Sequence, residues 1–238
     1  MLNARPTRLL IVLVCLLASR IPLTEATVRE ESVDAKTKTA LALDVHRDRG
    51  RALFHEHCAR CHGMEAGGDG AHAIPALAGQ RFDYLVRQLA NFAGQERDSA
   101  TMHGVLANQG LRAPQTWADI AGFLNRLPMS QPVMTGSGVK VSLGGAIFHE
   151  QCASCHRADA QGDVEGFVPS LRHEHYPYLV AQMHRIGRGD RHNVDENLAR
   201  FLRSFDEVEI DAVADYLSRL EGPGERTPRM RADGTVLD

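Results

Sequence analysis

The chain has 238 residues, enough for one large domain or two small ones. Hydrophobic residues make up 43% and charged residues 24%, a globular balance, and a formal net charge of −3 argues against a polyanion-binding protein. Aromatic residues are only 5%, so a domain of about 90 residues would be marginal without a cofactor or metal.

At the N-terminus, Arg5 and Arg8 precede an apolar run at 9–18, LLIVLVCLLA. This is the charged region and short apolar region of a secretory signal, about half the length of a membrane-spanning helix. Residues 1–26 are assigned to it, with Thr24 and Ala26 supplying small residues before a cleavage point after Ala26. An uncleaved anchor is the alternative, and Val14 before Cys15 is too bulky for a lipoprotein site. Loss of Arg5, Arg8, Arg20 and Glu25 takes the formal net charge from −3 to −5. Export places the mature chain in the periplasm, where paired cysteines usually become disulfides.

Residues 27–44 are polar and read as a loose segment. RGRALFHEHCARC then reads as a helix running into Cys58, and the motif CARCHG follows at 58–63. Glycine-rich GMEAGGDG (63–70) reads as a loop rather than a phosphate cradle. In RFDYLVRQLANF, Phe82, Leu85, Leu89 and Phe92 fall near helical spacing, as do Trp117, Ile120, Leu124 and Leu127 further on. Residues 129–140 have the Pro, Gly and Ser of a linker.

After the linker the pattern repeats. Shifted by 94, Gly50 falls on Gly144, Phe54-His55-Glu56 on Phe148-His149-Glu150, Cys58 on Cys152, Cys61 on Cys155 and His62 on His156. Pro75 falls on Pro169 and Tyr84-Leu85-Val86 on Tyr178-Leu179-Val180. Over 50–88 there are 18 identities in 39 positions, where chance would give about two or three. The chain is thus two copies of one small domain, 45–128 and 141–222, followed by a loose tail, 223–238. In the second copy Ser204 and Glu207 form a capping-box pattern, and Ile210, Val213, Leu217 and Leu220 share one helix face.

Two thiols separated by two residues can reach both vinyl groups of a haem, and the next residue, histidine, then lies beneath the iron. Covalent attachment supplies the core that so small a domain lacks. A four-cysteine zinc site leaves both histidines unexplained and needs equivalent positions of a tandem repeat to meet. A thioredoxin-like C-x-x-C expects a βαβ context that is missing. Disulfides within each C-x-x-C would be strained small rings.

The motifs Gly50, Phe54, CARCHG, PALAGQRFDYLVRQLANFAG, Met102 and Phe123 resemble those of a dihaem class I cytochrome c, of the cytochrome c4 and c553 group, over about residues 45–222. The resemblance implies an all-α fold of two tandem domains, each around one covalently bound haem c. It implies thioether links at Cys58, Cys61, Cys152 and Cys155, with His62 and His156 as proximal iron ligands. It implies that the carbonyls of Pro75 and Pro169 accept the Nδ1 hydrogens of those histidines. Phe54 would pack near Phe123, and Phe148 near Tyr216.

Met102 stands where the family places its second axial ligand. The second copy departs from the pattern: Leu198 occupies the methionine position and cannot ligate iron, and Met183 matches the core position Leu89. His192 in GDRHNVDENL is the candidate for that distal side, with an open iron as the alternative. His184 lies on the preceding helix, while His173 and His175 stand where the first copy has Gly79 and Arg81. HEH at 55–57 and 173–175 is not H-E-x-x-H, so no zinc-protease reading follows.

The implied function is a periplasmic carrier of single electrons from respiratory-chain donors to a terminal oxidase or reductase. Its partners would be redox proteins, a dehydrogenase or cytochrome bc1-type donor and an oxidase or reductase acceptor, with peripheral association with a membrane complex and no nucleic acid. No catalytic residue is assigned. A dihaem peroxidase-like enzyme or a haem-based ligand sensor is the alternative if the second iron is open.

Overall fold

A computed structural model describes Met1 and residues 31–222, 229–230 and 236–237. The secretory-signal reading of 1–26 and most of the tail lie outside the described residues.

The first copy is built from α2 (Arg47–His57), α3 (Ala59–His62), α4 (Phe82–Ala93), α5 (Ala100–Leu106) and α6 (Pro114–Arg126). The second is built from α7 (Val141–Ile147), a π-helical turn at Phe148–Cys152, α8 (Ala153–His156), α9 (Tyr176–Arg188), α10 (Glu196–Arg203) and α11 (Glu207–Ser218). An additional helix, α1 (Val33–Ala42), precedes them. Beyond α11, Arg229–Met230 and Val236–Leu237 pair as a two-residue antiparallel ladder.

Each copy is organised by one helix crossing, α2 on α6 and α7 on α11. Glycine makes both crossings close. A Cβ on Gly50 would sit 2.0 Å from the Asp119 carbonyl oxygen, and one on Gly144 would sit 1.9 Å from that of Ala212. Helix backbones therefore touch where the side chain is missing. One turn later Phe54 meets Phe123 and Phe148 meets Tyr216, each pair with ring centroids 5.7 Å apart. These are the packing partners the resemblance implies.

Apolar residues of the first copy form one buried cluster, with Trp117, Ile120 and Leu124 of α6 against Phe82, Leu85 and Val86 of α4. Trp117 is held in register by its indole N–H, which donates to the Leu111 carbonyl at 2.7 Å. In the second copy the buried apolar residues divide into two clusters. One lies around Phe148, Val213 and Leu217, the other around Ile186, Ala199 and Leu202, and Met183 packs against both.

Two expectations are corrected. Residues 33–42 of the segment read as loose form α1, capped by Ser32, whose Oγ accepts from the Ala35 N–H. Its Thr37 and Ala40 are buried, and it packs on α4 and α6. The sequence looked loose because alanine, threonine and lysine make a weak apolar stripe, and docking supplies the stability that propensity alone does not. The second correction is the cap of α11, which is Asp206 rather than Ser204. The Asp206 carboxylate accepts from the Glu209 N–H and Glu209 accepts from the Asp206 N–H, both at 2.9 Å. Ser204 instead closes α10, its hydroxyl donating to the Phe201 carbonyl. Two overlapping S/D-x-x-E patterns compete here, and Ser and Asp are equally good N-caps.

Candidate functional site

The two C-x-x-C-H motifs have the same local construction. α2 ends at His57, Cys58 begins α3, and the short helix brings Cys61 and His62 round by one turn. The π-helical turn and α8 do the same for Cys152, Cys155 and His156. All four cysteines are free thiols; Cys61 and Cys155 are exposed and Cys58 and Cys152 partly buried. Burial, then the neighbouring thiol of Cys61 or Cys155, pushes the Cys58 and Cys152 thiols up to about 11. They stay protonated at neutral pH, unlike the thiolate of a redox C-x-x-C. No cluster of three or more potential metal-ligating side chains occurs among the described residues, so the pairs do not converge on a zinc site.

Each histidine is oriented from outside its motif. His62 Nδ1 lies 3.2 Å from the Pro75 carbonyl oxygen, and His156 Nδ1 lies 3.2 Å from that of Pro169. With Nδ1–H donated to a carbonyl, Nε2 carries the lone pair. Burial lowers both imidazole pKa values, and the carbonyl bond opposes this only in part. Both rings are thus held neutral, as an iron ligand must be. The proline carbonyls are placed by Gly68 and Gly162, which adopt positive φ of 78° and 75°. A Cβ on either would lie 2.7 Å or less from the Pro75 or Pro169 carbonyl oxygen. The N–H groups of these glycines return to the His62 and His156 carbonyls.

Met102 lies on α5 behind the N-cap Ser99, whose Oγ accepts its N–H at 3.3 Å, and packs against the first core. In the second copy Leu198 is exposed. His192 is a surface residue, its Nδ1 2.8 Å from the Asp98 carboxylate of the first copy. His184 pairs with Glu207. His175 is fixed between the copies, accepting the Met134 N–H at Nδ1 and donating from Nε2 to the Gly67 carbonyl.

The interface between the copies was not anticipated, and it obeys the same 94-residue shift. Arg97 donates to Gln88, Tyr178 and Gln182, while Arg191 donates to Gln182, Tyr84 and Gln88. The equivalent pairs are Tyr84/Tyr178, Gln88/Gln182 and Arg97/Arg191. Extending the repeat from residue 88 to residue 97 would have revealed the third pair. Both guanidiniums are buried, and neither forms an ion pair among the described residues. Buried guanidiniums held mainly by neutral hydroxyl and amide oxygens suit a carboxylate-bearing prosthetic group. Free thiol pairs, neutral imidazoles and buried guanidiniums together fit two covalently attached haems.

The cytochrome c family model matches residues 48–125 and 141–221. The chain belongs to the cytochrome c family. This cytochrome is similar to cytochrome c4 of Pseudomonas aeruginosa, 29% identical over 174 residues, which cover 68% of this chain and 83% of that protein. It is also similar to a thiosulfate dehydrogenase electron acceptor of Stutzerimonas stutzeri, 28% identical over 173 residues, which cover 68% of this chain and 78% of that one. The fold matches the reduced recombinant cytochrome c4 from Pseudomonas stutzeri with a TM-score of 0.64 at 24% identity, covering 74% of this chain and all of that one. The protein is a dihaem class I cytochrome with two haem c groups, and it transfers electrons to and from redox protein partners. No helix among the described residues is long and apolar enough to cross a membrane.

Proposed function

We propose that this cytochrome is a periplasmic shuttle that carries single electrons from respiratory-chain donors to a terminal oxidase or reductase. The observation that carries the reading is the duplicated site: two neutral imidazoles, buried at His62 and partly buried at His156, each anchored through Nδ1 to a proline carbonyl beside a pair of free thiols. Haem c supplies reversible one-electron chemistry at iron when bound. Cys58, Cys61, Cys152 and Cys155 hold it covalently, and His62 and His156 present Nε2 as proximal ligands.

Met102 would serve as the distal ligand of the haem in the first copy, where its thioether would favour the ferrous state. The second haem would find no matching methionine on its distal side, and we read its iron as open. His192 is engaged by Asp98 at the surface and His184 by Glu207, and Leu198 has no donor atom. The relative named as an electron acceptor of thiosulfate dehydrogenase supports a dehydrogenase on the donor side.

The test is an optical spectrum of the exported protein, oxidised and reduced, with a pyridine haemochrome count and carbon monoxide. Two c-type haems per chain, a thioether–iron band and carbon monoxide binding at half the haem are expected. A count of zero overturns the reading. Carbon monoxide binding at neither haem overturns the open second iron and makes His192 and Met183 the residues to substitute. Efficient peroxide turnover at the second haem favours the peroxidase-like alternative over a pure carrier.

A further inference from the structure

The peptide group that anchors each proximal histidine is gripped from its other side by the opposite copy. The Pro75 carbonyl accepts from His62 Nδ1, and the N–H of that same peptide, belonging to Ala76, donates to Glu174 Oε1 at 3.0 Å. The Pro169 carbonyl accepts from His156 Nδ1, and the Ser170 N–H of that peptide donates to Gln80 Oε1 at 2.9 Å. Gln80 and Glu174 are themselves equivalent under the 94-residue shift. Each also accepts the N–H of the residue that follows it, Arg81 or His175, at 2.8 Å. All four groups at these two bonds are buried.

We infer that Glu174 and Gln80 are crossed positioning residues, each tuning the proximal histidine of the other domain through the shared peptide group. A hydrogen bond to the N–H of a peptide polarises it and makes its carbonyl a better acceptor. A better acceptor draws the imidazole Nδ1 proton outward, raises the basicity of Nε2 and stabilises ferric iron. The two copies differ in strength. Gln80 offers a neutral amide oxygen and also donates from Nε2 to the Ser170 carbonyl at 2.8 Å, whereas Glu174 offers an oxygen whose strength as an acceptor changes with protonation. The groups facing Glu174 are the Arg97 guanidinium, the Tyr84 and Tyr178 hydroxyls and the backbone N–H groups of Ala76 and His175. Burial pushes its pKa up to about 8.

This inference rests on His62 and His156 being the proximal ligands, and the test separates the two claims. The haem-loaded full chain is compared with Glu174→Gln, which keeps the oxygen that accepts both N–H groups, and with the reciprocal Gln80→Glu. Nuclear magnetic resonance follows the Nδ1–H of each proximal histidine in the ferrous state and the midpoint of each haem against pH. In the parent protein the His62 Nδ1–H and the first-domain midpoint should move together across pH 7–9, the midpoint falling. Glu174→Gln should abolish both movements and leave the second domain unchanged, and Gln80→Glu should confer the same titration on His156 and the second-domain midpoint. Equal movement of both domains, no movement, or a midpoint change without a change at the His62 Nδ1–H would overturn the inference. His62 ring protons without a hyperfine shift in the ferric protein would instead overturn the ligand assignment.

Discussion

Substitution of Gly144 by alanine tests whether the helix crossing holds the second domain together. The added Cβ would start 1.9 Å from the Ala212 carbonyl oxygen and 2.9 Å from the Tyr216 Cβ. Atoms of this kind do not approach within 3.0 Å, so α7 and α11 must part by about 1 Å. Overpacking of this kind costs about 1–3 kcal/mol. Parting the helices also loosens the Phe148–Tyr216 contact, worth about 1 kcal/mol. Alanine regains about 1 kcal/mol of helix propensity over glycine. The net is a loss of roughly 1–3 kcal/mol, or roughly 4–24 °C in the melting temperature of a domain this size. Gly104 on α5 is the control, since it is exposed and a Cβ there meets nothing within 4 Å. Gly104→Ala should therefore raise stability by about 0.5–1 kcal/mol. Calorimetry of the haem-loaded protein reads both variants. A Gly144→Ala melting point within about 3 °C of the parent would refute the close-crossing argument.

Glu174 makes stability depend on pH. Its folded pKa is raised from 4.5 to about 8, so the native state holds a proton that the unfolded state releases. The contribution is complete below pH 4.5 and is lost as pH rises through about 8. At about 1.36 kcal/mol per tenfold change in proton affinity, the span corresponds to roughly 4–5 kcal/mol. Denaturant midpoints should fall from pH 5 to pH 9 in the parent protein and stay nearly flat in Glu174→Gln. Arg97→Met and Arg191→Met should each destabilise by about 2–4 kcal/mol, because buried hydroxyl and amide partners lose their donor. A double-mutant cycle should give a coupling above about 1 kcal/mol, since both arginines share Gln88 and Gln182. Met102→Ala should open the first iron, raising carbon monoxide binding from half the haem to all of it.

The mechanism that emerges is one of rigid support. The imidazoles of His62 and His156 are kept neutral by burial and aimed by carbonyls. Those carbonyls belong to peptides clamped across the domain interface. A carrier that changes charge by one electron benefits from such fixed dipoles, which need no rearrangement as the charge changes.

Much of this molecule is written locally. The C-x-x-C-H motifs, the 94-residue repeat, the glycine-aromatic spacing of Gly50 and Phe54 and the apolar stripe of α6 are all short-range patterns. Each reports a local constraint: two thioether links and a ligand, a duplication, a helix contact and a buried face. They determined the fold class, the cofactor and its number. Other features depend on which surfaces meet. α1 carries a stripe too weak to announce a helix and is stabilised by docking on α4 and α6. The cap of α11 was a choice between two overlapping patterns, settled by where the chain becomes extended, at Asp206. His192, singled out by its place in the chain, meets the Asp98 carboxylate of the first copy 94 residues earlier, and only the packing of the copies brings them together. The crossed grip of Glu174 and Gln80 joins groups 98 and 90 residues apart. Sequence order records the members of each pair, while the packing of one repeat against the other decides that they touch.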